Sequence, residues 1–360
     1  MNNTGLRFAM AACLVAALWP DSPATAQHSD VLIQDVAGKL TTGTGNPDSG
    51  VGALGTRTFI GLFNSTYAVD DPGFNSIGTG AGTIPPGASA LPGNADLSWD
   101  FMPMKVDGFT SNLLYWNGAG TTANQVAFGP PPTATYSLTL FGKNFAQAAA
   151  DGSDQLVPGQ VLDTTAADGF IHRHRFFFLD NDVDPNNATV ATQGVYLISM
   201  RLRMDGLDRS DPMYLVWGTP MATPQAVQAA FTWVENTKDE LAPSFDADFD
   251  GDLDVDGADF LTWQRNLGMT SALQLNGDAD RNGAVGGGDL AVWKGEFGSS
   301  LANFPGATSG AWIAAIPEPT SCVLAMLSAA LLVAIARFGY VQKDRRCRHA
   351  SSELGRRLIA

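Results

Sequence analysis

The chain has 360 residues, of which 45% are hydrophobic and 16% charged, and its formal net charge is −15. This composition excludes an intrinsically disordered chain and leaves room for more than one domain. Residues 27–316 carry 13 Lys and Arg against 32 Asp and Glu, which argues against a nucleic-acid-binding protein and suits the binding of cations.

Residues 1–26 have the organisation of an export signal. One arginine precedes the apolar run FAMAACLVAALW, and a small-x-small pattern ends at Ala26. The three cysteines, Cys13, Cys322 and Cys347, all lie outside residues 27–316. The exported part therefore cannot use disulfides for stability, although its compartment would permit them.

Residues 27–240 are predicted to form a mainly β domain. Short alternating or aromatic runs such as ATYSLTLFG and GVYLISMRLR are separated by turns rich in glycine and proline. This pattern is typical of an antiparallel β-sandwich or jelly roll. In the second run, Tyr196, Ile198, Met200 and Leu202 alternate with polar residues, which predicts a strand with one buried and one exposed face.

A helix is predicted to close this domain, followed by a short linker at 241–244. Thr223 is placed to cap the helix, with Pro224 in its first turn. The apolar stripe expected to be buried consists of Ala226, Val227, Ala230, Phe231 and Val234.

Two histidines, His172 and His174, form the strongest candidate for chemistry within the β domain. On a strand both imidazoles project to the same face, where they could bind a metal ion if a neighbouring strand supplied a third ligand. Phe170, Phe176 and Phe178 would share that face. Two packed or rim histidines without a metal ion are therefore the alternative.

The sequence predicts no catalytic residue. It contains no G-x-S-x-G, H-E-x-x-H or C-x-x-C motif and no phosphate-binding glycine loop. Asp180, Asp182 and Asp184 could contribute to the carboxylate pair of a glycosidase, but their spacing is more typical of a turn or a surface cation loop. Aromatic residues that could stack on sugar rings, with burial in the core as the alternative, are Trp99, Tyr115 and Trp116.

Residues 245–300 contain an acidic stretch that occurs twice, with an offset of 30 positions. Oxygen side chains stand at loop positions 1, 3, 5 and 12, which is the spacing of a seven-coordinate calcium site whose last carboxylate lies at the start of a helix. The alternative is a solvated acidic linker. The repeated residues are Asp248, Asp250, Asp252, Asp259, Trp263 and Gly268, followed by Asp278, Asp280, Asn282, Asp289, Trp293 and Gly298.

An amphipathic run follows each loop and predicts one helix with one apolar face. The two predicted faces consist of Phe260, Leu261, Trp263 and Leu267, and of Leu290, Val292, Trp293 and Phe297.

Two loop–helix units of this kind resemble the type I dockerin module. The resemblance implies two bound calcium ions and, in that family, docking onto cohesin domains. The implied ligands of the first site are the side chains of Asp248, Asp250, Asp252 and Asp259, with the Asp254 carbonyl and with Asp256 through water. Those of the second site are the side chains of Asp278, Asp280, Asn282 and Asp289, with the Ala284 carbonyl.

Three positions depart from the dockerin pattern. Leu253 stands where the loop prefers a glycine for a left-handed turn, at a cost of roughly 1 kcal/mol. Gly286 brings no side chain to position 9, so the second site is expected to be weaker. Gly257-Ala258 and Gly287-Gly288 stand where cohesin-binding modules carry larger contact residues, which argues against a cohesin partner.

Residues 317–348, after a predicted linker at 301–316, resemble a PEP-CTERM sorting signal. Pro317, Glu318 and Pro319 precede an uncharged apolar run, Ser321–Ala336, of 16 residues and then a basic cluster. A helix of that length spans roughly 24 Å, somewhat less than a bilayer core. The resemblance implies recognition by an exosortase, an at least transient membrane anchor, and a cytoplasmic tail at 349–360 that is longer than usual in the family.

Together these features resemble planctomycete-type exported proteins. The sequence predicts a non-catalytic protein of the cell surface or extracellular matrix, with polysaccharide as the expected ligand class of the β domain. The alternative is a carbohydrate-active enzyme, a glycoside hydrolase or lyase, that carries a dockerin.

Overall fold

The computed structural model describes residues 30–46, 49–80, 82–182 and 190–309. Most regular structure within them is β, so the mainly β class predicted from the sequence is confirmed. The α-helices in this part of the chain are α1 (Pro224–Leu241), α2 (Gly257–Asn266) and α3 (Gly287–Glu296). The strands are β1 (Asp30–Val36), β2 (Lys39–Asn46), β3 (Val51–Leu54), β4 (Thr58–Leu62), β5 (Ala68–Val69), β6 (Phe74–Ser76), β7 (Asp96–Met102), β8 (Met104–Val106), β9 (Phe109–Ser111), β10 (Leu113–Trp116), β11 (Ser137–Phe141), β12 (Gln147–Ala150), β13 (Val157–Thr164), β14 (Ile171–Arg173), β15 (Phe177–Asp180), β16 (Val195–Met204) and β17 (Met213–Gly218).

These strands form sheets of five, six and four strands and a two-stranded ribbon, β8–β9. The five-stranded order is β14–β6–β1–β2–β3, the six-stranded order is β13–β7–β16–β17–β4 with β10 also beside β16, and the four-stranded order is β12–β11–β15–β5. Most neighbours are antiparallel, as predicted. The pairs β1–β6 and β17–β4 are parallel instead, because long connections bring these distant strands together.

Strand β16 is buried on both faces, so the predicted half-buried strand is wrong. Its residues Tyr196, Ile198, Met200 and Leu202 lie in the largest apolar core, as expected. On the other face, side chains of β16 and β17 pack against α1, and Arg201 is only 6% exposed. The sequence pattern missed this because the covering elements, α1 and the acidic repeat, come later in the chain.

Helix α1 begins where the sequence predicts. The Thr223 side chain accepts a hydrogen bond from the Ala226 amide at 3.2 Å, and Pro224 occupies the first turn, where its missing N–H costs nothing. The predicted stripe is buried except for Phe231, which is half-buried. Trp233 is fully buried in its place, because it lies on the face of α1 that covers the six-stranded sheet.

The acidic repeat forms a small unit with a core of its own. Buried side chains from both loops meet Trp263 in that core, and Phe260 and Trp293 pack against it with their ring centroids 5.0 Å apart. The apolar faces predicted for α2 and α3 included more residues than the structure buries. Leu261, Leu267 and Phe297 are exposed, since a ten-residue helix over so small a core can cover only a narrow stripe.

Residues 301–309, for which the sequence predicts a linker, return to the β domain. The Ala307 amide donates to the Lys105 carbonyl, and the Asp107 amide donates to the Ala307 carbonyl, both at 2.9 Å. The predicted export signal at 1–26 and the segment from Pro317 onwards, including Glu318 and Pro319, lie outside the described residues. Within the described ranges, no helix combines the length and the apolar character needed to cross a bilayer.

Candidate calcium sites in the acidic repeat

The first loop wraps its backbone around the carboxylate of Asp248. One oxygen of Asp248 accepts from the Gly251 amide at 2.6 Å, and the other accepts from the Leu253 amide at 3.1 Å. Both donors have left-handed backbone, with φ of +81° at Gly251 and +76° at Leu253. The two left-handed residues let the chain turn tightly enough for its amides to point inward.

Asp259 closes this loop from the first turn of α2, as predicted. Its Oδ1 accepts from the Phe249 amide at 2.7 Å, and its Oδ2 accepts from the Asp256 amide at 2.8 Å. The Asp256 side chain in turn caps the helix by accepting from the Ala258 amide. The fully buried Asp259 carboxylate is thereby held over the middle of the loop.

Carboxylates of the first loop converge in two overlapping groups. Asp248, Asp250 and Asp259 each place one oxygen within 4.8 Å of the others, and Asp254, Asp256 and Asp259 do the same. Asp252 lies outside both groups, and its side chain accepts from the Asp254 amide at 3.1 Å. The structure therefore brings together most, but not all, of the predicted side-chain ligands.

The electrostatics of the first loop disfavour so many ionised groups without a cation. Burial raises the pKa of Asp248 to about 6, although the Arg201 guanidinium opposes the rise. Burial also raises the pKa of Asp250, and the neighbouring carboxylates of Asp252 and Asp259 raise it further. The raised pKa values express a free-energy cost of ionisation that a bound cation would remove.

The second loop repeats this geometry. Asp278 accepts from the amides of Asn282 and Gly283 at 3.1 and 2.8 Å. Asp289 is fully buried and accepts from the amides of Asp280 and Gly286 at 3.1 and 2.7 Å. Asp278, Asp280 and Asp289 converge within 4.8 Å.

Two further positions of the second loop, Asn282 and Gly286, contribute no side chain to this carboxylate group. Asn282 accepts from the Ala284 amide at 2.9 Å and is exposed. Gly286 is the N-cap residue of α3 and provides no side-chain cap. The second loop thus lacks the side chain that Asp256 contributes to the first.

The two loop–helix units make reciprocal hydrogen bonds, in which a contact from the first unit to the second has a counterpart in the opposite direction. The Trp263 indole donates to the Gly286 carbonyl at 2.8 Å, and the Trp293 indole donates to the Asp256 carbonyl at 3.0 Å. These residue pairs are related by the 30-residue offset of the repeat. Likewise, the residues after each helix pair with the middle of the other loop, through Gly268 with Val285 and Gly298 with Val255, both at 2.9 Å.

The donor set of both loops fits calcium. It consists of carboxylate oxygens that lie within 4.8 Å of one another, which is the chemistry of a hard cation with many oxygen ligands. In the first loop, Oδ1 of Asp254 is buried and accepts no hydrogen bond within the described part of the chain. A buried carboxylate oxygen without a partner is costly, and a bound cation would satisfy it.

The first loop also docks onto the β domain, which sequence reasoning missed. The Leu253 side chain is 5% exposed and lies in the apolar cluster formed by α1 and the six-stranded sheet. Arg201 on β16 donates to the Gly251 carbonyl at 2.5 Å, and Arg209 donates to the Asp250 carbonyl at 2.6 Å. A leucine at a glycine position was the one signal of this contact in the sequence.

The other candidates predicted in the β domain are the aromatic residues that could stack on sugars and the three aspartates at and after the end of β15. Trp99 and Trp116 are buried, and Tyr115 is half-buried with its hydroxyl donating to the Gln193 carbonyl, so the core alternative holds for the two tryptophans. Asp180 is buried, Asp182 is half-buried, and Asp184 lies outside the described residues.

The strand predicted around the histidines is interrupted. His172 belongs to β14 in the five-stranded sheet, whereas Phe177 begins β15 in the four-stranded sheet. Phe176 precedes β15 and is exposed, so it does not continue the face of His172. The two imidazoles nevertheless meet, with their Nε2 atoms 3.3 Å apart.

No protein-family model matches this sequence, and no curated protein is similar enough to it to count as a relative.

Proposed function

We propose that the chain is an exported, non-catalytic protein of the cell surface or extracellular matrix. Its β domain is a sandwich of the jelly-roll type, and its dockerin-like module binds two calcium ions. The module acts as an internal brace for the β domain. The observation that supports the brace most directly is the docking of the first acidic loop onto the β domain through Leu253, Arg201 and Arg209.

Calcium bound to the first loop would stabilise the β domain as well as the loop. Bound to the first loop, the ion would fix the peptide groups whose carbonyls accept from Arg201 and Arg209. Since ions that bind only the folded state stabilise it, occupancy of this loop stabilises the contact with the β domain as well as the module. A domain without disulfides gains stability outside the cell in this way.

The docking also bears on the partner of the module. In this chain the first loop is directed towards the protein's own β domain, and Gly251, which lies under Arg209, is buried. This arrangement favours an internal role over cohesin binding. Export by the N-terminal signal and sorting by an exosortase-like enzyme complete the proposal, with the C-terminal segment as the anchor.

Polysaccharide is the proposed ligand class of the β domain. The test incubates residues 27–309, with calcium present, with a panel of insoluble and soluble polysaccharides. Retention on one of them without release of oligosaccharide is the expected result. Released oligosaccharide would instead establish the carbohydrate-active enzyme and overturn the non-catalytic proposal.

A second measurement tests the brace itself. Unfolding of the β domain is followed in the same protein with and without calcium. A β domain that unfolds at the same temperature under both conditions, while the module loses its helical circular dichroism, would contradict the brace but leave the calcium sites standing.

A further inference from the structure

A second and chemically different cluster lies at the edge of the five-stranded sheet. Asp30 is the first residue of β1, His172 lies in β14, and His174 follows that strand. Strand β6 lies between β1 and β14 and pairs with both. Asp30, His172 and His174 each place one ligand atom within 4.8 Å of the other two.

The spacing of these atoms matches a tetrahedral metal site. Nε2 of His172 lies 3.2 Å from Oδ2 of Asp30 and 3.3 Å from Nε2 of His174. Ligand atoms bound to a tetrahedral zinc ion at about 2.0–2.1 Å lie about 3.3 Å from one another. Two edges of the cluster therefore have the length that a shared zinc ion would impose.

Asp30 provides an independent indication of a bound cation. Its side chain is 1% exposed, and its Oδ1 accepts from the Gly73 amide at 3.1 Å. Its Oδ2 is directed towards the imidazoles, with Nε2 of His172 at 3.2 Å, and no backbone amide within the described ranges donates to it. Since burying an ionised oxygen without a positive charge beside it is costly, a metal ion shared by Asp30 and the imidazoles would stabilise this carboxylate.

The groups behind His174 fix the tautomer that a metal needs. Nδ1 of His174 lies 3.1 Å from the Asp70 carbonyl and 3.1 Å from a carboxylate oxygen of Asp71. A carbonyl can only accept, so Nδ1 carries the proton and the lone pair of a neutral His174 is on Nε2, facing the cluster. Metal-binding histidines commonly donate from their other ring nitrogen to a carboxylate or a carbonyl in this way.

Space and access are also suitable. A Cβ at Gly73 would lie 2.9 Å from Cε1 of His174 and 3.0 Å from Oδ1 of Asp30, so glycine leaves room for both ligands there. The side chains of His172 and His174 are 34% and 32% exposed. A fourth coordination position would therefore face solvent and could hold water.

We propose that Asp30, His172 and His174 bind a divalent transition metal ion of the zinc class. Two imidazoles and one carboxylate select such an ion over calcium, which prefers oxygen ligands only. The site is separate from the acidic repeat and joins β1 to β14 across β6. Asp30 thereby supplies the third ligand, from a strand two positions away in the sheet.

The test uses the full chain, stripped of metal with a chelator and returned to excess calcium so that the acidic loops are filled. Zn²⁺ is then titrated against a chromophoric zinc chelator, and Co²⁺ serves as a spectroscopic probe of geometry. We expect about one equivalent of zinc, visible absorption typical of tetrahedral cobalt, and a zinc-dependent rise in melting temperature of the unmodified protein.

Substitutions distinguish the proposed zinc ligands from residues that do not contact the ion. His172→Gln, His174→Gln and Asp30→Asn should each weaken zinc binding by more than 100-fold, whereas Asp71→Asn should weaken it about tenfold, as outer-shell changes do. His349→Gln, which removes a histidine elsewhere, and Asp205→Asn, in an exposed turn, should leave it unchanged. Calcium-dependent circular dichroism confirms that each variant folds.

Two results would overturn the site. In the first, the stripped unmodified protein takes up no more zinc than the His172→Gln/His174→Gln variant. In the second, zinc binds but cobalt shows no tetrahedral spectrum and the melting temperature does not move. Either result would mean that the two imidazoles and Asp30 form a hydrogen-bonded group without a metal ion.

Discussion

The two acidic loops share one sequence pattern but have different surroundings. Loop one, Asp248–Asp259, lies against the β domain, where Leu253 is buried and Gly251 accepts from Arg201. The corresponding position of loop two, Asp278–Asp289, is Gly283 with φ of +84°, and a Cβ there would meet nothing within 4 Å. The same backbone turn is thus an interface in one loop and an open corner in the other.

This difference indicates a division of labour. Loop two contacts the other unit of the repeat, and its nearest hydrogen bond to the β domain is made by Leu275, before the loop, whose amide donates to Asp208 at 3.3 Å. It should therefore stabilise the module more than the β domain. Loop one can stabilise both the module and the β domain. The positive φ of Leu253, unfavourable for a residue with a side chain, is offset by the apolar surface that the side chain buries in the neighbouring domain.

Calcium removal is expected to have the largest effect on this comparison. At a free calcium concentration about 1,000 times the dissociation constant, each site stabilises the fold by about 4 kcal/mol. Chelation should therefore abolish the cooperative unfolding of the module, as measured by helical circular dichroism and by tryptophan fluorescence during thermal unfolding.

Matched variants assign that loss to each loop. Asp259→Asn and Asp289→Asn remove the same carboxylate charge at equivalent positions. The first should lower the melting temperature of the β domain as well as that of the module, and the second should lower the melting temperature of the module with a much smaller effect on the β domain. Equal effects of the two variants on the β domain would contradict the division of labour.

Arg201→Met should produce the next largest effect. Arg201 is buried between Oδ2 of Asp100, at 3.0 Å, and the Gly251 carbonyl. Removing one partner of a buried ion pair typically costs about 3–5 kcal/mol. We expect about 3 kcal/mol here, because Arg203 still contacts Oδ1 of Asp100 at 2.9 Å. Chemical denaturation measures the loss.

The control for this variant is Arg203→Met. Arg203 pairs with the same carboxylate, but its side chain is 38% exposed, and solvent screening reduces such a contribution to about 1 kcal/mol or less. If Arg203→Met destabilised the protein as much as Arg201→Met does, the contact of Arg201 with the Gly251 carbonyl would not be what couples the loop to β16.

Substitutions at Leu253 test the anchor. Leu253→Ala should cost about 2–3 kcal/mol, near the lower end for a buried leucine, because the alanine keeps the left-handed backbone but loses the contact. Leu253→Gly should be about 1 kcal/mol less damaging than Leu253→Ala, since glycine removes the backbone strain. Denaturant unfolding of the two variants gives the difference directly.

The matched change in loop two is Gly283→Ala. It introduces the left-handed strain without any contact, and should cost about 1 kcal/mol. A Leu253→Ala variant as stable as the unmodified protein would show that burial of Leu253 contributes nothing.

The sequence predicted the internal geometry of the repeat better than its surroundings. Ligand spacing and a helix cap are local, so Asp259 and Asp289 fold back over their loops as predicted. Leu253 was interpreted as a departure from a calcium loop because its contacts are with residues far away in the chain. The residue pattern of one loop carries no information on contacts with such distant residues.

The β domain shows the same limit. The alternation in β16 predicted one buried face, but not the burial of Arg201 on the other, which depends on Asp100 and on the loop carbonyl. The pair His172 and His174 was visible in the sequence. Asp30 was not, because its position depends on a parallel strand pairing between β1 and β6 that no local signal indicates.

Gly286→Asp is expected to have the smallest effect, and it would make loop two more like loop one. Asp256 caps α2 and lies with Asp254 and Asp259 in one carboxylate group, whereas Gly286 is the N-cap residue of α3 and provides no side-chain cap. An aspartate there should stabilise the helix by only a few tenths of a kcal/mol, since glycine is itself a tolerated cap. It should raise the calcium affinity of loop two several-fold, because position 9 often holds a ligand that acts through water. Calcium titration in an Asp259→Asn background, where loop one is impaired, isolates the change.

The reverse substitution, Asp256→Gly, should weaken calcium binding by loop one by a similar factor. If both variants bind calcium as their parents do, then position 9 is not what makes the two loops unequal, and docking alone accounts for the difference.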